Sequence, residues 1–218
     1  MVCALFLSSA SSLASRPHPD AVVFRIERKG ATIGRHEVVM THHDGRVDVD
    51  IAFKVRVKVA FLTVFKMSHT AHEEWTENGK LKTLHALTER SSGTFDVAVT
   101  PSADGYRVVV NGDASTAPAN MVPTSFSFAK DLFGATAVQV TLLDTLSGRQ
   151  RPSFIQPLQE TELTLDDGRT VTTAYYEILR TDTGQTTHRI WVDAAGNLLK
   201  LGLFTKDDQY IEYYRVST

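Results

Sequence analysis

Apolar and polar residues alternate strictly from Arg46 to Val59, the clearest regular pattern in the chain. The apolar side chains share one face, and the other face is charged except at Ala52. A period of two residues over this length predicts a half-buried antiparallel strand and excludes a helix. It also argues against a parallel sheet, whose strands are buried on both faces. The apolar face consists of Val47, Val49, Ile51, Phe53, Val55, Val57 and Val59.

Turn-forming pairs recur along the remainder of the chain and divide it into extended stretches. Asx-Gly pairs supply the positive φ values of tight hairpin turns, so each predicts a chain reversal. The stretches between them are rich in Val, Thr, Ile and Tyr, as from Thr170 to Leu179. This spacing predicts a meander of strands. The pairs are Asp44-Gly45, Asn78-Gly79, Asp104-Gly105, Asn111-Gly112 and Asp167-Gly168.

The segment 114–150 interrupts this pattern. Pro118 and Pro123 open it, residues 124–133 predict one or two helical turns, and Gly134 ends them. We expect the segment to cross or plug one end of the sheet. The whole pattern therefore predicts an all-β fold, either a strongly curved antiparallel meander sheet or an open β-barrel, with one short helix in the 114–150 segment.

Composition is that of one ordinary globular domain. The chain has 218 residues, of which 42% are hydrophobic and 22% charged, so it is long enough for one substantial β-domain. The formal net charge of -2 gives no basic excess for a nucleic-acid backbone, and no nucleic-acid partner is expected. We predict a single antiparallel β-domain over residues 16–218.

The N-terminus has the features of a secretory signal. Residues Val2 to Leu13 carry no charge, and Ser12-Leu13-Ala14 places small residues where a signal peptidase cleaves. We therefore predict a signal peptide over residues 1–15 and a periplasmic location. The basic residue that normally precedes the apolar run is missing, which is consistent with a Met1 that lies inside the true leader. The alternative is an apolar helix of the folded domain.

The same segment bears on membrane insertion and on cysteine chemistry. Its apolar run is too short to span a bilayer, which needs about 20 apolar residues, so no transmembrane segment is predicted. Cys3 is the only cysteine, and it lies too early in the chain to be a lipid-anchor site. Cleavage leaves a mature chain without cysteine, which excludes disulfides, thiolate metal sites and cysteine nucleophiles.

An ordered set of short motifs extends through nearly the whole mature chain. They are Gly30 with Ile33-Gly34, His69, Glu73-x-Trp75, Asn78-Gly79-Lys80-Leu81, Pro123-x-Ser125 with Phe126 and Phe128, Asp144-x-x-Ser147-Gly148, Ile190-Trp191-Val192-Asp193 with Gly196, and Tyr213-Tyr214-Arg215. In this order the chain resembles an uncharacterised family of exported proteobacterial β-proteins, known only as a domain of unknown function. The resemblance implies a periplasmic, half-barrel-like domain, distantly similar to lipoprotein carriers that hold lipid in a concave sheet. It implies no enzymatic activity.

Histidines offer only weak candidates for metal binding. In a strand, His69 and Glu73 share one face while His72 and Glu74 share the other, which is not the helical spacing of a zinc-binding pair. Further histidines could join only from neighbouring strands. These are His36, His42, His43 and His85. We predict no metal site and no cofactor, and we interpret the histidines as solvated or singly hydrogen-bonded.

Motifs for nucleophilic catalysis are missing from the sequence. It contains no Gly-x-Ser-x-Gly elbow and no glycine-rich phosphate loop. We interpret Asp144, beside Ser147-Gly148, as a residue that shapes a turn. A hydrolase with Glu73, His69 and Asp144 as acid/base groups is the least favoured functional hypothesis, and no catalytic residue is predicted.

Aromatic residues recur on several predicted strands. On the concave face of a curved sheet they would line a pocket for an apolar ligand, with Trp and Tyr adding a polar contact. The alternative is a core filled by the same side chains, as is normal for small barrels. The predicted ligand-binding residues are Phe53, Phe61, Phe65, Trp75, Tyr175 and Trp191.

The segment Val59–Phe65 loses the alternation and is apolar on both faces, directly after Lys54, Arg56 and Lys58. A reversal near its start would form an apolar hairpin tip beside basic residues, suited to a membrane surface or lipid partner. The alternative is a strand buried on both sides beneath the segment 114–150. Burial is the favoured interpretation, because an exposed tip of this kind invites aggregation.

These observations lead to two main functional hypotheses. The first is a periplasmic binding or accessory protein that holds an apolar small molecule or lipid-like ligand in a concave β-sheet. The second is a structural or interaction module of the cell envelope whose sheet edge docks on an envelope protein. An enzyme is the less favoured reading of the sequence.

Overall fold

The computed structural model describes residues 19–59, 62–127, 132–205 and 207–216. Sixteen β-strands lie in these ranges. The first eight are β1 (Pro19–Arg28), β2 (Ala31–His43), β3 (Arg46–Val59), β4 (Leu62–Thr76), β5 (Leu81–Arg90), β6 (Gly93–Ser102), β7 (Gly105–Val110) and β8 (Asp113–Pro118). The others are β9 (Met121–Pro123), β10 (Val138–Leu143), β11 (Gln150–Pro157), β12 (Thr161–Thr164), β13 (Thr170–Arg180), β14 (Thr186–Val192), β15 (Leu198–Phe204) and β16 (Tyr210–Arg215).

The strands form one continuous sheet in which most sequence neighbours are also sheet neighbours. This holds from β1 to β8 and from β13 to β16, and the first strand pairs with the last. Beyond β13 the sheet continues through β11, β10 and β9, while β12 pairs with β13 alone. The pairing of β9 with β10 is parallel, and the other pairings between described strands are antiparallel.

The sheet curls until its two ends approach each other. These ends, β8 and β9, are consecutive in the chain, and only Ala119 and Asn120 separate them. The side-chain amide of Gln150, on β11, donates to the Thr116 carbonyl of β8 at 3.1 Å. The result is a nearly closed, barrel-like sheet. The predicted all-β, curved or barrel-like architecture is therefore confirmed.

The strand predicted from Arg46 to Val59 is β3, with the same bounds. Val47 and Val49 are 1% and 0% exposed, whereas Asp50 and Lys54 on the opposite face are exposed. Full burial of a side chain of this size stabilises the fold by about 1.5–3 kcal/mol. Alternation thus directs one face of each long strand to the barrel interior and the other to solvent.

The segment 114–150 departs from the prediction. Its described residues form β8, β9, β10 and turns, and residues 128–131 of the predicted short helix lie outside the described part. Phe126 has a φ of +49°, a left-handed conformation that a right-handed helix does not tolerate. Nowhere in the described ranges is there a helix long and apolar enough to cross a bilayer.

The hairpin of β3 and β4 projects beyond the rest of the sheet. Pairing of β2 with β3 stops at Val55, and pairing of β4 with β5 stops at Met67. Val64 is 56% exposed and Phe65 is 38% exposed. The preference for burial of Val59–Phe65 is therefore wrong at these two positions, because the neighbouring strands end before they could cover the hairpin.

Candidate functional site

The barrel encloses a cavity of about 900 Å³. Inner-facing side chains of the strands form most of its wall, and the turns after β9 and β10 enter it from one side. A volume of this size falls within the range of pockets that bury small ligands. Its apolar lining includes Phe24, Val38, Ile51, Phe53, Leu201 and Tyr213.

One row of side chains crosses the wall of the cavity from strand to strand. The register pairs Phe24 with His36, His36 with Phe53, and Phe53 with His69. The ring centroids of these pairs lie 5.7, 5.5 and 4.9 Å apart. At the end of the row, His69 Nδ1 lies 2.8 Å from the Thr88 hydroxyl. Cross-strand pairing thus builds a continuous aromatic surface from four strands.

Three of the four histidines in the described lining face this cavity in their neutral form. Burial and, to a smaller extent, the nearby His69 lower the pKa of His36 to about 4. Burial also lowers the pKa of His69 and of His188 to about 4, against an opposing effect of Asp144 on each. At neutral pH they therefore contribute polar atoms without charge.

Glu73 is a buried acid outside the cavity lining. It is 0% exposed, and the Trp75 indole nitrogen donates to its Oε2 at 2.9 Å. Burial raises the pKa of Glu73 to about 7, although the hydrogen bond from Trp75 and the nearby Ser125 hydroxyl oppose the shift. Glu73 and Trp75 therefore serve the packing between β4 and the turn after β9.

The three proposed acid/base groups do not form a catalytic array in the described part of the chain. Asp144 influences the pKa of His69, but no hydrogen bond joins the two side chains. The Asp144 carboxylate accepts hydrogen bonds from the Ser147 hydroxyl and from the Leu146 amide. Asp144 therefore shapes its turn, as its position beside Ser147-Gly148 predicts.

Four arginines also line the cavity, namely Arg90, Arg149, Arg151 and Arg215. Among the described residues, none of their guanidinium groups forms an ion pair or a hydrogen bond, and Arg90 lies over the Phe95 ring at 4.2 Å. The only carboxylate in the described lining is that of Asp144. The cavity therefore combines an apolar wall with an excess of positive charge.

Three of the six predicted ligand-binding residues, Phe53, Phe65 and Trp75, lie near the interior or on the projecting hairpin. Phe53 lines the cavity. Trp75 is buried but bonds to Glu73 away from the cavity lining. Phe65 is exposed on the hairpin, and Phe61 lies outside the described residues. Ligand binding by these residues stays a prediction.

The other two predicted residues, Tyr175 and Trp191, lie on the outer face of the barrel. They are cross-strand partners whose rings stack with centroids 4.9 Å apart. Lys200 extends the row, with its Nζ 4.7 Å from the centre of the Trp191 ring and 4.5 Å from that of Tyr214. The sequence shows that these residues belong to strands, but not which face of the sheet they occupy.

Sequence reasoning missed the cavity arginines, although signals for two of them were present. Arg90 continues the inner-facing series Leu84, Ala86 and Thr88, so it occupies an apolar position of an alternating strand. Arg215 ends the closing motif of the chain. Such positions can be recognised where a charged residue takes the alternate strand position that buried residues otherwise occupy.

An outer cluster of Asp48, His72 and Glu74 brings three metal-binding side chains within 4.8 Å of one another. Two of the three side chains, Asp48 and His72, already have protein partners. His43 and Arg46 both contact Asp48 Oδ2 at 3.0 Å, and His72 Nδ1 lies 2.8 Å from Asp50 Oδ1. A nearby arginine disfavours a second cation, so the cluster acts as a surface ion-pair network.

A family model described as domain of unknown function (DUF6134) matches residues 24–216. The chain belongs to this family. The predicted membership in an uncharacterised β-protein family is thus confirmed. No curated protein matches the chain.

One solved structure of low sequence identity has a fold similar to that of this chain, and a second aligns with it more weakly. A β-barrel-like protein of domain of unknown function DUF1849 from Brucella abortus superposes with a TM-score of 0.65 at 12% identity, covering 93% of this chain and 97% of that one. A DUF1089 family protein from Pseudomonas aeruginosa has a TM-score of 0.48 at 10% identity, covering 89% and 95%. At such identities the likeness concerns the fold alone.

Proposed function

We propose that this DUF6134 protein binds an apolar or amphipathic small molecule inside its barrel, as an accessory protein of the periplasm. The observation that supports the proposal is the cavity of about 900 Å³ at the centre of the sheet. Small barrels are normally filled by their own side chains. An interior that stays open, with an aromatic wall on one side and polar groups among the other lining residues, suits a ligand.

The experiment is native mass spectrometry combined with solvent extraction of protein purified from its own cells. A co-purifying small molecule is expected. The variant Val38→Trp introduces bulk into the cavity wall and should abolish co-purification. Val39→Trp is the matched control, because the adjacent side chain points to the outer face of β2. A protein that carries nothing, in wild type and both variants, would contradict the proposal.

The periplasmic location rests on the signal-like segment of residues 1–15, which lies outside the described residues. Osmotic-shock fractionation of cells that express the full chain, followed by N-terminal sequencing, tests it. The mature protein should appear in the periplasmic fraction with an N-terminus close to residue 15. Uncleaved protein in the cytosolic fraction would contradict export.

A second candidate function is docking on an anionic lipid surface through the β3–β4 hairpin. Val64 and Phe65 present apolar surface at its projecting end. Exposed cations lie beside them on the same hairpin, and no Asp or Glu occurs between Ile51 and Lys66. Apolar insertion together with basic residues is the combination that binds anionic membranes. The cations are Lys54, Arg56, Lys58 and Lys66.

Vesicle co-sedimentation tests this docking. Binding should be stronger to vesicles that contain phosphatidylglycerol than to pure phosphatidylcholine, and Phe65→Ser should weaken it. The control Phe154→Ser removes a phenylalanine that is 41% exposed elsewhere on the barrel, and should leave binding unchanged. Equal binding to both vesicle types would rule out the electrostatic part of the proposal. The alternative of an exposed sheet edge that docks on an envelope protein stays a prediction.

A further inference from the structure

Arginines on the outer surface and arginines in the cavity differ in their partners. Six that do not line the cavity form ion pairs with carboxylates at distances from 2.6 to 3.6 Å. The four in the cavity form none with any described residue. The paired arginines are Arg25, Arg35, Arg46, Arg169, Arg180 and Arg189. Most described arginines outside the cavity are therefore paired with a carboxylate, with Arg28, Arg56 and Arg107 as exceptions, whereas none of the four in the cavity is.

Nothing else in the described lining balances this charge. Asp144 is its single carboxylate, and the Ser147 hydroxyl and the Leu146 amide already bind that group. Tyr213 and three of the lining histidines, His36, His69 and His188, carry no charge at neutral pH, because burial raises the pKa of Tyr213 and lowers those of the three histidines. Positive groups that face a partly desolvated space without partners are unfavourable until an anion binds them.

The arginines are placed beside apolar surface rather than apart from it. Arg215 is the cross-strand partner of Phe24, the first residue of the aromatic row. Arg151 is the partner of Leu142 on β10, which also lines the cavity. Arg90 lies at the end of β5, two residues beyond Thr88 at the other end of that row. An anionic group at any of them has an apolar wall within reach.

We propose that the cavity ligand is an anionic amphiphile, with an apolar chain along the aromatic row and a carboxylate, phosphate or sulfate head on the cavity arginines. This inference rests on the proposed binding function and specifies its ligand class. Planar guanidinium groups match carboxylate and phosphate oxygens, and such charge-assisted hydrogen bonds are the strong ones. A neutral amphiphile would leave the arginines unpaired.

The test is isothermal titration calorimetry of the delipidated full chain with probes that share one ten-carbon chain. Decanoate and decyl phosphate are the anionic probes, and decan-1-ol and decyltrimethylammonium are the neutral and cationic ones. The anionic probes should bind at least about 10-fold more tightly than the alcohol, and the cationic probe most weakly. Comparison of decanoate with decyl phosphate distinguishes a carboxylate head from a phosphate head.

Single-arginine variants locate the head group. Arg151→Gln and Arg215→Gln should each weaken decanoate binding roughly 10-fold or more and leave decanol binding within about 2-fold. Arg107→Gln is the matched control, since Arg107 is exposed on the outer face of β7 and also lacks an ion pair with a described residue. Should either variant fail to fold, Arg149→Gln provides the same test at an exposed position.

The outcomes separate the two proposals. Equal affinity for decanoate and decanol would overturn the anionic head while leaving cavity binding intact. A loss of decanoate binding in Arg107→Gln equal to that in Arg151→Gln would also overturn it, because the effect would then be general charge. If none of the four probes binds the delipidated protein, both the cavity function and its ligand class are overturned.

Discussion

The two faces of the sheet differ in how often their positively charged side chains form ion pairs. On the outer face, Lys200 lies between two aromatic rings and forms an ion pair with Glu212 at 2.8 Å. Arg189, on the adjacent strand, likewise pairs with Glu177 at 3.0 Å. On the inner face, Arg151 and Arg215 line an open space without a carboxylate partner among the described residues. Six described arginines outside the cavity thus have a carboxylate partner, whereas the four that line the cavity have none.

This difference distinguishes the outer face, whose paired charges contribute to stability, from the inner face, which we propose binds a ligand. Compensated surface networks contribute modestly to folding and leave little for a ligand to gain. Uncompensated groups that converge on a cavity reduce stability, and they are found where a ligand supplies the missing partner. The inner face is therefore the place to look for function, and perturbations of the two faces should give different readouts.

Acid titration should produce the largest effect, because it charges the inner histidines. His36, His69 and His188 have folded pKa values of about 4, below the ordinary value of 6.5. The unfolded chain therefore binds more protons between these values, and stability is full above pH 6.5 and declines toward pH 4. Glu73 has a pKa of about 7 in the fold, so in this pH range the folded state holds one proton on Glu73 that the unfolded state releases, which partly offsets the effect of the histidines. The free energy of unfolding should therefore change with pH by at most roughly 3 kcal/mol per pH unit.

Urea unfolding at pH 7, 6, 5 and 4.5 measures this slope. His69→Gln removes one titrating group and should reduce it by about a third to a half. His85→Gln is the control, because His85 is exposed on the outer face. A slope unchanged by His69→Gln, or reduced equally by His85→Gln, would contradict the assignment to the inner histidines.

Truncation of the aromatic row should produce the next largest effect. Phe53 is 7% exposed and contacts His36 and His69 on both sides. Phe53→Ala should lower the free energy of unfolding by about 3 kcal/mol, while Phe154→Ala on the exposed face should lower it by less than about 0.5 kcal/mol. Chemical denaturation measures both changes. Similar losses in the two variants would remove the distinction between a packed inner row and a solvated outer face.

Strand alternation explains why so much of the fold could be predicted from sequence. The bounds of β3 follow from the alternation between Arg46 and Val59, and turns follow from Asx-Gly pairs such as Asn111-Gly112, where both residues have positive φ. These are local properties of the chain. The left-handed conformation of Phe126, a buried residue, excludes a helix through that position, and residues 128–131 of the predicted helix lie outside the described residues.

The candidate site is formed by residues that are far apart in the chain, so only part of it could be predicted from the sequence. Phe53 was identified as a cavity residue because its face follows from a long uninterrupted alternation. Tyr175 and Trp191 occupy the outer face of the barrel. The sequence did not show this, because adjacent aromatic residues such as Tyr175 and Tyr176 do not reveal which of the two points into the barrel. Arg149 lies in the turn after β10 and Arg151 lies near the start of β11, and no local pattern predicts where that turn places them.

Replacement of the buried acid should give a smaller, pH-dependent effect. The folded pKa of Glu73 is raised to about 7 from 4.5, so its ionisation above pH 7 opposes folding. Glu73→Gln keeps an acceptor for the Trp75 indole and cannot ionise. Its stability relative to wild type should be about 2 kcal/mol more favourable at pH 8 than at pH 5. Urea unfolding at the two pH values measures this, with Glu74→Gln on the opposite face as the control.

The smallest effect should come from the compensated outer face. Lys200→Met removes the ion pair to Glu212 and the contacts to the rings of Trp191 and Tyr214, while keeping an apolar chain between them. The loss of stability should be about 1 kcal/mol in urea unfolding. Decanoate affinity should stay within about 2-fold, in contrast to Arg151→Gln. A large loss of decanoate binding in Lys200→Met would mean that the outer row, and not the cavity, carries the ligand.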